Sequence, residues 1–182
     1  MISAFIEFVM SLETVIEQNL SRRLVDDLIL EIKEHPAYFE MVFSYLFSPK
    51  QRLAWRSGWI LCHLQQQAPH FFVAKQKEMM DLLLSTPYHG VRRSLLFLIC
   101  HSEQTDYPVA FINQCFEWML SPKQPPAIQV YSMYCLSKVC ALYPDFTTEL
   151  LVCLENVETS DYSKGFTSAR KKTLIDLLHK KQ

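Results

Sequence analysis

The chain has 182 residues, of which 49% are hydrophobic and 20% are charged, so it is a folded globular protein and not a disordered one. Only three glycines occur, and because hairpins and bulges use glycine, this composition disfavours a sheet protein and favours helices. The formal net charge of −1 argues against a dedicated nucleic-acid binder, although it allows a local basic surface.

The N-terminal segment reads MISAFIEFVMSLETVIEQ, and its apolar residues are interrupted by Glu7 and Glu13. It has no basic leader and no small-residue cleavage pattern, so we interpret it as a helix and not as a signal peptide. No uncharged apolar run reaches about 18 residues, so no membrane span is expected. The six cysteines are scattered without a C-x-x-C pair, which is typical of reduced, buried thiols. We therefore expect a cytoplasmic protein.

Four segments of the chain repeat at a nearly constant spacing. They read RSGWIL from Arg56, RSLLFL from Arg93, YSMYCL from Tyr131 and ARKKTL from Ala169, so their starts are 37, 38 and 38 residues apart. Each segment ends on a leucine. Three of them have serine at the second position, where a small side chain lets helices approach closely. We predict that each segment lies in a helix.

A second helical stretch precedes each of these segments. The stretches read PAYFEMVFSYLFS, HFFVAKQKEMMDLLLS, PVAFINQCFEWMLS and DFTTELLVCLENVE. Proline-containing breaks at 48–50, 86–87 and 121–123 separate the first helix from the second in three of the four units. Proline is tolerated at the start of a helix and disrupts its interior. The repeating unit is therefore a pair of antiparallel helices in about 37 residues.

This unit is typical of helical solenoids, the class that includes HEAT, armadillo and tetratricopeptide repeats. The second helices resemble HEAT repeats, because GVRRSLLFL from Gly90 to Leu98 is similar to that family's Val-Arg-x-x-Ala-x-x-x-Leu start. The resemblance covers about residues 35–181. It implies an all-α fold, a right-handed α-α superhelix of about four two-helix repeats. An irregular helical bundle is the alternative.

The expected organisation is a single domain, 1–182. Its expected parts are an N-terminal cap at 1–34 and repeats at 35–68, 69–105, 106–143 and 144–182.

Alignment of the four second helices predicts one mainly apolar stripe, which we interpret as the core face. The stripe consists of five sets of equivalent residues, each given in the order of the four helices: Leu53, Gly90, Ile128 and Phe166; Ser57, Ser94, Ser132 and Arg170; Ile60, Phe97, Cys135 and Thr173; Leu61, Leu98, Leu136 and Leu174; and Leu64, His101, Val139 and Leu177.

The opposite stripe combines cations with aromatic residues, and second helices of solenoids typically line the concave surface. The candidate partner-binding residues are Arg52, Trp55, Arg56, Trp59, His63, Arg92, Arg93, Tyr131, Tyr134 and Lys138. Such a surface could bind an acidic peptide, a nucleic-acid backbone or a phosphorylated ligand. The alternative is that these arginines and tryptophans lean over neighbouring helices as packing.

Charge is distributed unevenly between the two ends of the chain. Residues 7–40 contain eight acidic side chains against three basic ones, whereas residues 164–182 contain six basic side chains against Asp176 alone. The simplest interpretation is that both ends are solvated caps, since terminal repeats need a polar outer face. The alternative is head-to-tail association of oppositely charged ends.

No metal or cofactor site is expected from the sequence. The pairs Cys62-His63 and Cys100-His101 stand one residue out of step in the repeat register, so their side chains should not converge. The three glycines are isolated and cannot form a phosphate-binding loop.

Two functions remain open. The first is a non-enzymatic scaffold that binds a protein partner, with an acidic surface, on the concave face. The second is a nucleic-acid or DNA-lesion binder, because the segment from Arg52 to His63 is weakly similar to the groove of HEAT-like DNA alkylation-repair glycosylases. Those enzymes use a catalytic aspartate, and no acidic residue lies between Arg52 and Glu78. We therefore expect no enzymatic activity.

Overall fold

The computed structural model describes residues 12–18 and 20–179. These residues form helices and no strand, which confirms the all-α prediction. The α-helices are α1 (12–18), α2 (Arg22–Glu34), α3 (Ala37–Ser44), α4 (Gln51–Gln67), α5 (Gln76–Ser85), α6 (His89–His101), α7 (Val109–Leu120), α8 (Pro126–Leu142), α9 (Phe146–Asn156) and α10 (Lys164–His179). Short 3-10 segments occupy Tyr45–Phe47, Pro69–Lys75 and Thr159–Asp161. The start of the expected N-terminal helix and cap, 1–11, lies outside the described residues.

Helices α3 to α10 form four consecutive pairs, in which each first helix packs against its own second helix. The second helices α4, α6, α8 and α10 also pack side by side in chain order, and we call them the second-helix layer. Stacking in which each unit contacts its neighbours is the geometry of a helical solenoid. Among the described residues, none of the helices combines the length and the apolar character that crossing a bilayer requires.

The predicted breaks separate the helices at the expected places. Pro49 and Pro87 lie outside helices, just before α4 and α6, and Pro126 is the first residue of α8. At that first position the missing N–H is not needed, and the fixed φ angle suits the helix. The first helix of the second unit begins as the 3-10 segment Pro69–Lys75 and continues as α5.

The core runs between the two helices of each pair, and α4 and α8 bury the same positions. Five equivalent positions are buried in both helices. In α4 they are Leu53, Ser57, Ile60, Leu61 and Leu64, and in α8 they are the residues 75 positions later, Ile128, Ser132, Cys135, Leu136 and Val139. Burial of an aliphatic side chain of this size contributes about 1.5–3 kcal/mol. The predicted core stripe is thus confirmed in these two helices.

In α6 the predicted core register is wrong by one residue. Phe97 is only half-buried and His101 is exposed, although both were expected in the core. The buried residues at the spacing seen in α4 are Val91, Leu95, Leu98, Ile99 and Ser102. The error arises because small and apolar residues stand at neighbouring positions in RSLLFLI, so two registers satisfy the same alignment. Only contact with α4 and α8 separates them.

Close approach of α4 and α6 depends on a glycine. A Cβ atom added to Gly58 would lie 2.8 Å from both Cβ and Oγ of Ser94 on the neighbouring helix. Gly165, near the start of α10, meets only Ser163 Oγ at 3.6 Å. A methyl group would therefore collide with Ser94 at position 58 but would fit without a clash at position 165.

We expect Gly58→Ala to lower the free energy of unfolding, although alanine is the better helix former by about 1 kcal/mol. Overpacking of a tight interface costs about 1–3 kcal/mol, because the two helices must move apart. Gly165→Ala is the matched control and should leave stability unchanged or raise it slightly. Urea unfolding of both variants measures the difference. Equal stability of the two would contradict the close-packing argument.

Candidate functional site

Four aromatic side chains form a row across the second-helix layer, and we call Trp59, Phe97, Tyr131 and Tyr134 the aromatic row. Each is half-buried. The rings of Phe97 and Tyr131 meet edge to face with centroids 5.7 Å apart, and those of Tyr131 and Tyr134 meet at 6.2 Å. Side chains from α6 and α8 therefore form one continuous aromatic surface, and Trp59 of α4 lies at its edge.

An open cavity of about 280 Å³ lies between α4, α6 and α8 beside this row. Trp59, Phe97 and Tyr131 line it together with His63 and Arg93. Arg93 is exposed, and within the described residues it makes no hydrogen bond or ion pair. Burial raises the pKa of the Tyr131 hydroxyl, so this phenol stays protonated and can donate a hydrogen bond. The cavity thus combines apolar rings with an uncommitted guanidinium.

A second open cavity, of about 290 Å³, continues the surface toward α10. Tyr134, Lys138, Lys172 and Asp176 are among the residues that line it. Both lysines are exposed, and neither forms an ion pair in the part of the chain that the structure describes. Two cations against one carboxylate keep this end of the surface positive.

The guanidinium of Arg56, unlike that of Arg93, is bonded to the backbone of a neighbouring helix. Its Nη1 donates hydrogen bonds to the backbone oxygens of Ile16, at 2.8 Å, and Glu17, at 2.5 Å. These carbonyls lie near the C-terminal end of α1, where helical carbonyls need partners and a cation is favourable. The contacts of Arg56 therefore agree with the alternative interpretation, in which these arginines lean over neighbouring helices as packing.

Arg92 does not lie with the other candidates. Its guanidinium carbon sits 4.7 Å from the centroid of the Trp118 ring, and its Nη2 donates to the backbone oxygen of Thr86 at 2.9 Å. Trp118 belongs to α7, so Arg92 faces the first helices. Burial lowers the pKa of this arginine. The sequence grouped it with Arg93 because the two are adjacent, but neighbouring residues on a helix point about 100° apart.

Arg52 and Trp55 line a separate open cavity, of about 240 Å³, at the N-terminal ends of α4 and α6. The Trp55 ring packs over Gly90, since a Cβ atom there would lie 2.6 Å from Trp55 Cδ1. Trp55 is nevertheless 45% exposed. These two candidates are therefore apart from the aromatic row.

His63 is joined to a helix that the sequence alignment did not connect with it. Arg22 Nη1 of α2 lies 3.2 Å from His63 Nδ1, and Arg22 also pairs with Asp26 at 3.1 Å. The same Nη1 also lies 3.4 Å from Nε2. A guanidinium can only donate, so this contact favours a neutral His63 ring. Desolvation and the nearby Arg22 charge lower the pKa of His63, while Asp26 opposes that shift.

The two Cys-His pairs stand in step once the register of α6 is corrected, contrary to the sequence-based expectation. Their side chains still go to different partners. Cys62 Sγ lies 3.7 Å from the Ser94 backbone oxygen, and burial raises its pKa to about 12. His101 stacks on the Phe97 ring with centroids 4.1 Å apart. Among the described residues no group of three or more potential ligands could hold a metal ion.

Sequence reasoning missed Phe97 as a member of the surface, left Lys172 out of the candidate binding residues and gave no role to the neighbouring Arg22. Phe97 was assigned to the core by the one-residue error in α6. Correct register would have revealed it, because it then aligns with Trp59 and Tyr134. Arg22 lies outside the repeats that were aligned, so no periodic signal pointed to it.

Comparison with known families gave a match to helical repeats. A family model described as HEAT repeat domain matches residues 12–177, which is most of the chain. No curated protein and no solved structure matched the chain.

We expect Arg56→Ala to destabilise the protein, because two hydrogen bonds from a charged group to helix-end carbonyls are lost. Such bonds contribute about 1.5–3 kcal/mol each when intact. Because Arg56 is partly exposed, we expect the loss of stability to lie at the lower end of this range. Arg93→Ala is the control and should change stability by less than about 0.5 kcal/mol, as is usual for an exposed side chain. Thermal unfolding of both variants checks this. A stable Arg56→Ala protein would show that the α1 contacts contribute little.

The lowered pKa of His63 predicts a pH dependence of stability. The unfolded chain binds a proton at the ordinary pKa of 6.5, whereas the folded chain resists protonation until a lower pH. The stabilising contribution is therefore complete above pH 6.5 and is lost as the pH falls from there through the folded pKa. We expect the unfolding free energy to fall between about pH 7.5 and about pH 5 more steeply in the wild type than in His63→Gln. Urea titrations at several pH values measure this, and identical slopes would count against it.

Proposed function

The chain belongs to the HEAT repeat domain family, and from that premise we propose that it is a non-enzymatic scaffold that binds an acidic protein partner. The proposed contact surface is the aromatic row together with Arg93, Lys138 and Lys172. HEAT repeats commonly mediate protein interactions. The observation that carries the proposal is a row of half-exposed rings beside cations that have no partner among the described residues.

The aromatic row supports binding through desolvation. Tyrosine and tryptophan offer a large, stiff contact area at little cost in conformational entropy, and they are enriched among the residues that dominate interface energies. The row is already ordered by ring-to-ring contacts from Phe97 to Tyr134. A partner could therefore bury these rings without a large entropic cost of ordering their side chains.

The charges next to the row select the kind of partner. Arg93 lies at the first cavity, and Lys138 and Lys172 lie at the second, where Asp176 is the neighbouring carboxylate. Carboxylates of a partner would find uncommitted donors at both cavities, and arginine can hold a carboxylate through two parallel hydrogen bonds. Such complementarity raises the association rate and selects acidic partners over basic ones.

The protonation states of the surface support a binding role over a catalytic one. The Cys62 thiol, with a pKa of about 12, is a poor nucleophile at neutral pH. His63 is in contact with Arg22, whose Nη1 lies 3.2 Å from Nδ1 and 3.4 Å from Nε2. Asp176 lines the second cavity together with Lys138 and Lys172. A protonated thiol and a histidine in contact with Arg22 at the first cavity favour binding over catalysis.

We expect Arg93→Glu to reduce capture of the partner by at least about tenfold, since an interfacial charge reversal replaces attraction by repulsion. Affinity capture from the source cells, quantified by mass spectrometry against the wild type, measures this. The matched control is Lys77→Glu, which makes the same charge change on α5. The Lys77 side chain is 88% exposed, and its ion pair with Asp81 is a surface pair of the kind that contributes about 0–1 kcal/mol. Both variants should keep the wild-type melting temperature.

Two outcomes would contradict the proposal. One is equal capture of the same proteins by the wild type and Arg93→Glu. The other is binding of a duplex or single-stranded oligonucleotide in a mobility-shift assay, lost in Arg93→Glu and falling steeply with salt, which would assign the surface to nucleic acid.

A further inference from the structure

Helix α4 contacts the next second helix, α6, through four of its positions. Cys62 Sγ lies 3.7 Å from the Ser94 backbone oxygen, and Gln65 Nε2 donates to the His101 backbone oxygen at 3.1 Å. Gly58 approaches Ser94, and Trp55 packs over the glycine that begins the first turn of α6. Positions 55, 58, 62 and 65 therefore form the forward face of α4, the face covered by the following helix.

On α10 the same face is left uncovered by the residues that the structure describes. Leu53 of α4 and Phe166 of α10 are equivalent buried residues. When the two helices are aligned on them, the positions of α10 that correspond to the forward face of α4 are Ser168, Lys171, Ile175 and Leu178. All four are exposed, and Ile175 and Leu178 remain 46% and 51% accessible. Together they line an open cavity of about 380 Å³. The packing partners of α10 are α8 and α9, so this apolar face lies at the end of the layer.

The charge around this face is basic. Lys171 lies on this face, and Arg170 lines the same cavity, although its guanidinium also bonds to the backbone oxygens of Leu154 and Glu155. The carboxylate nearest in sequence is Asp176. Two copies that met through this same face would bring like charges together. A partner surface with carboxylates around an apolar side chain fits better.

The chain carries such a surface at its other end, on α2. Leu30 is 59% exposed, and the neighbouring Asp27, Glu31 and Glu34 are exposed too. These three carboxylates form no ion pair with the residues that the structure describes. Helix α2 packs against α3 and α4 at the start of the layer, so the acidic helix and the basic forward face of α10 lie at opposite ends.

We propose that copies of this chain associate head to tail, with α2 of one copy docked on the forward face of α10 of the next. Leu30 would cover Ile175 and Leu178, and the carboxylates of α2 would meet Lys171 and its basic neighbours. The contact is heterologous, so a pair of copies still has one free α2 and one free α10, and association continues beyond the dimer. This surface is separate from the aromatic row, and the proposal stands whether or not the row binds a partner.

Sedimentation velocity of the full chain at low salt, over protein concentrations up to about 1 mM, tests the proposal, because this range reaches weak specific association. The wild type should show a mass that increases with concentration. Ile175→Asp and Leu30→Asp alone should each be monomeric. Their equimolar mixture should form a dimer and nothing larger, since only one intact pair of faces remains. Both positions are exposed, so the melting temperatures should match the wild type.

A charge exchange provides a second arm. Lys171→Glu should weaken self-association by at least about tenfold, and the added change Glu31→Lys should restore it. A wild type that is monomeric throughout would overturn the proposal. Retained self-association in Leu30→Asp, together with its loss in Ile175→Asp, would overturn it in favour of α10-to-α10 pairing.

Discussion

Side-by-side packing of α4, α6, α8 and α10 is the constraint on which the rest of the structure depends. It requires small residues where the helices cross, and Gly58 and Ser94 meet this need between α4 and α6. Once the helices are this close, each one is buried on two sides and exposed along a narrow strip. That strip decides which side chains can reach a partner. The aromatic row is what this packing leaves at the surface of α4, α6 and α8.

The same packing divides the cations into two kinds. Arg56 bonds to the backbone carbonyls of Ile16 and Glu17 in α1, and Arg170 bonds to those of Leu154 and Glu155 in α9, so both hold a neighbouring helix in place. Arg93 and Lys138 have no such partner in the described part of the chain. Arginines of one sequence motif therefore have different roles, because helical geometry turns one toward a helix end and another toward solvent. Binding arguments that count basic residues without this distinction overestimate the surface.

Much of the fold could be predicted from the sequence. The spacing of the four leucine-ended segments, together with the prolines, placed the helix pairs, since proline marks helix starts and apolar periodicity marks the buried face. The prediction failed in α6, where Ser94 and Leu95 both satisfy the alignment. That one-residue error moved Phe97 and His101 into the core. A rotation of about 100° separates the two solutions, and single-sequence periodicity is too weak to choose between them when both neighbours are small or apolar.

The sequence by itself determined the repeat length, the all-α fold and the presence of cations among aromatics, because these follow from composition and periodicity along one helix. Only the tertiary structure decided which of those residues share a surface. It brought Trp59, Phe97 and Tyr131 to one cavity, turned Arg92 toward Trp118 and joined His63 to Arg22. The physical reason is that a side chain's neighbours on adjacent helices depend on the distance and rotation between those helices. These are set by contacts far apart in the chain and leave no local pattern.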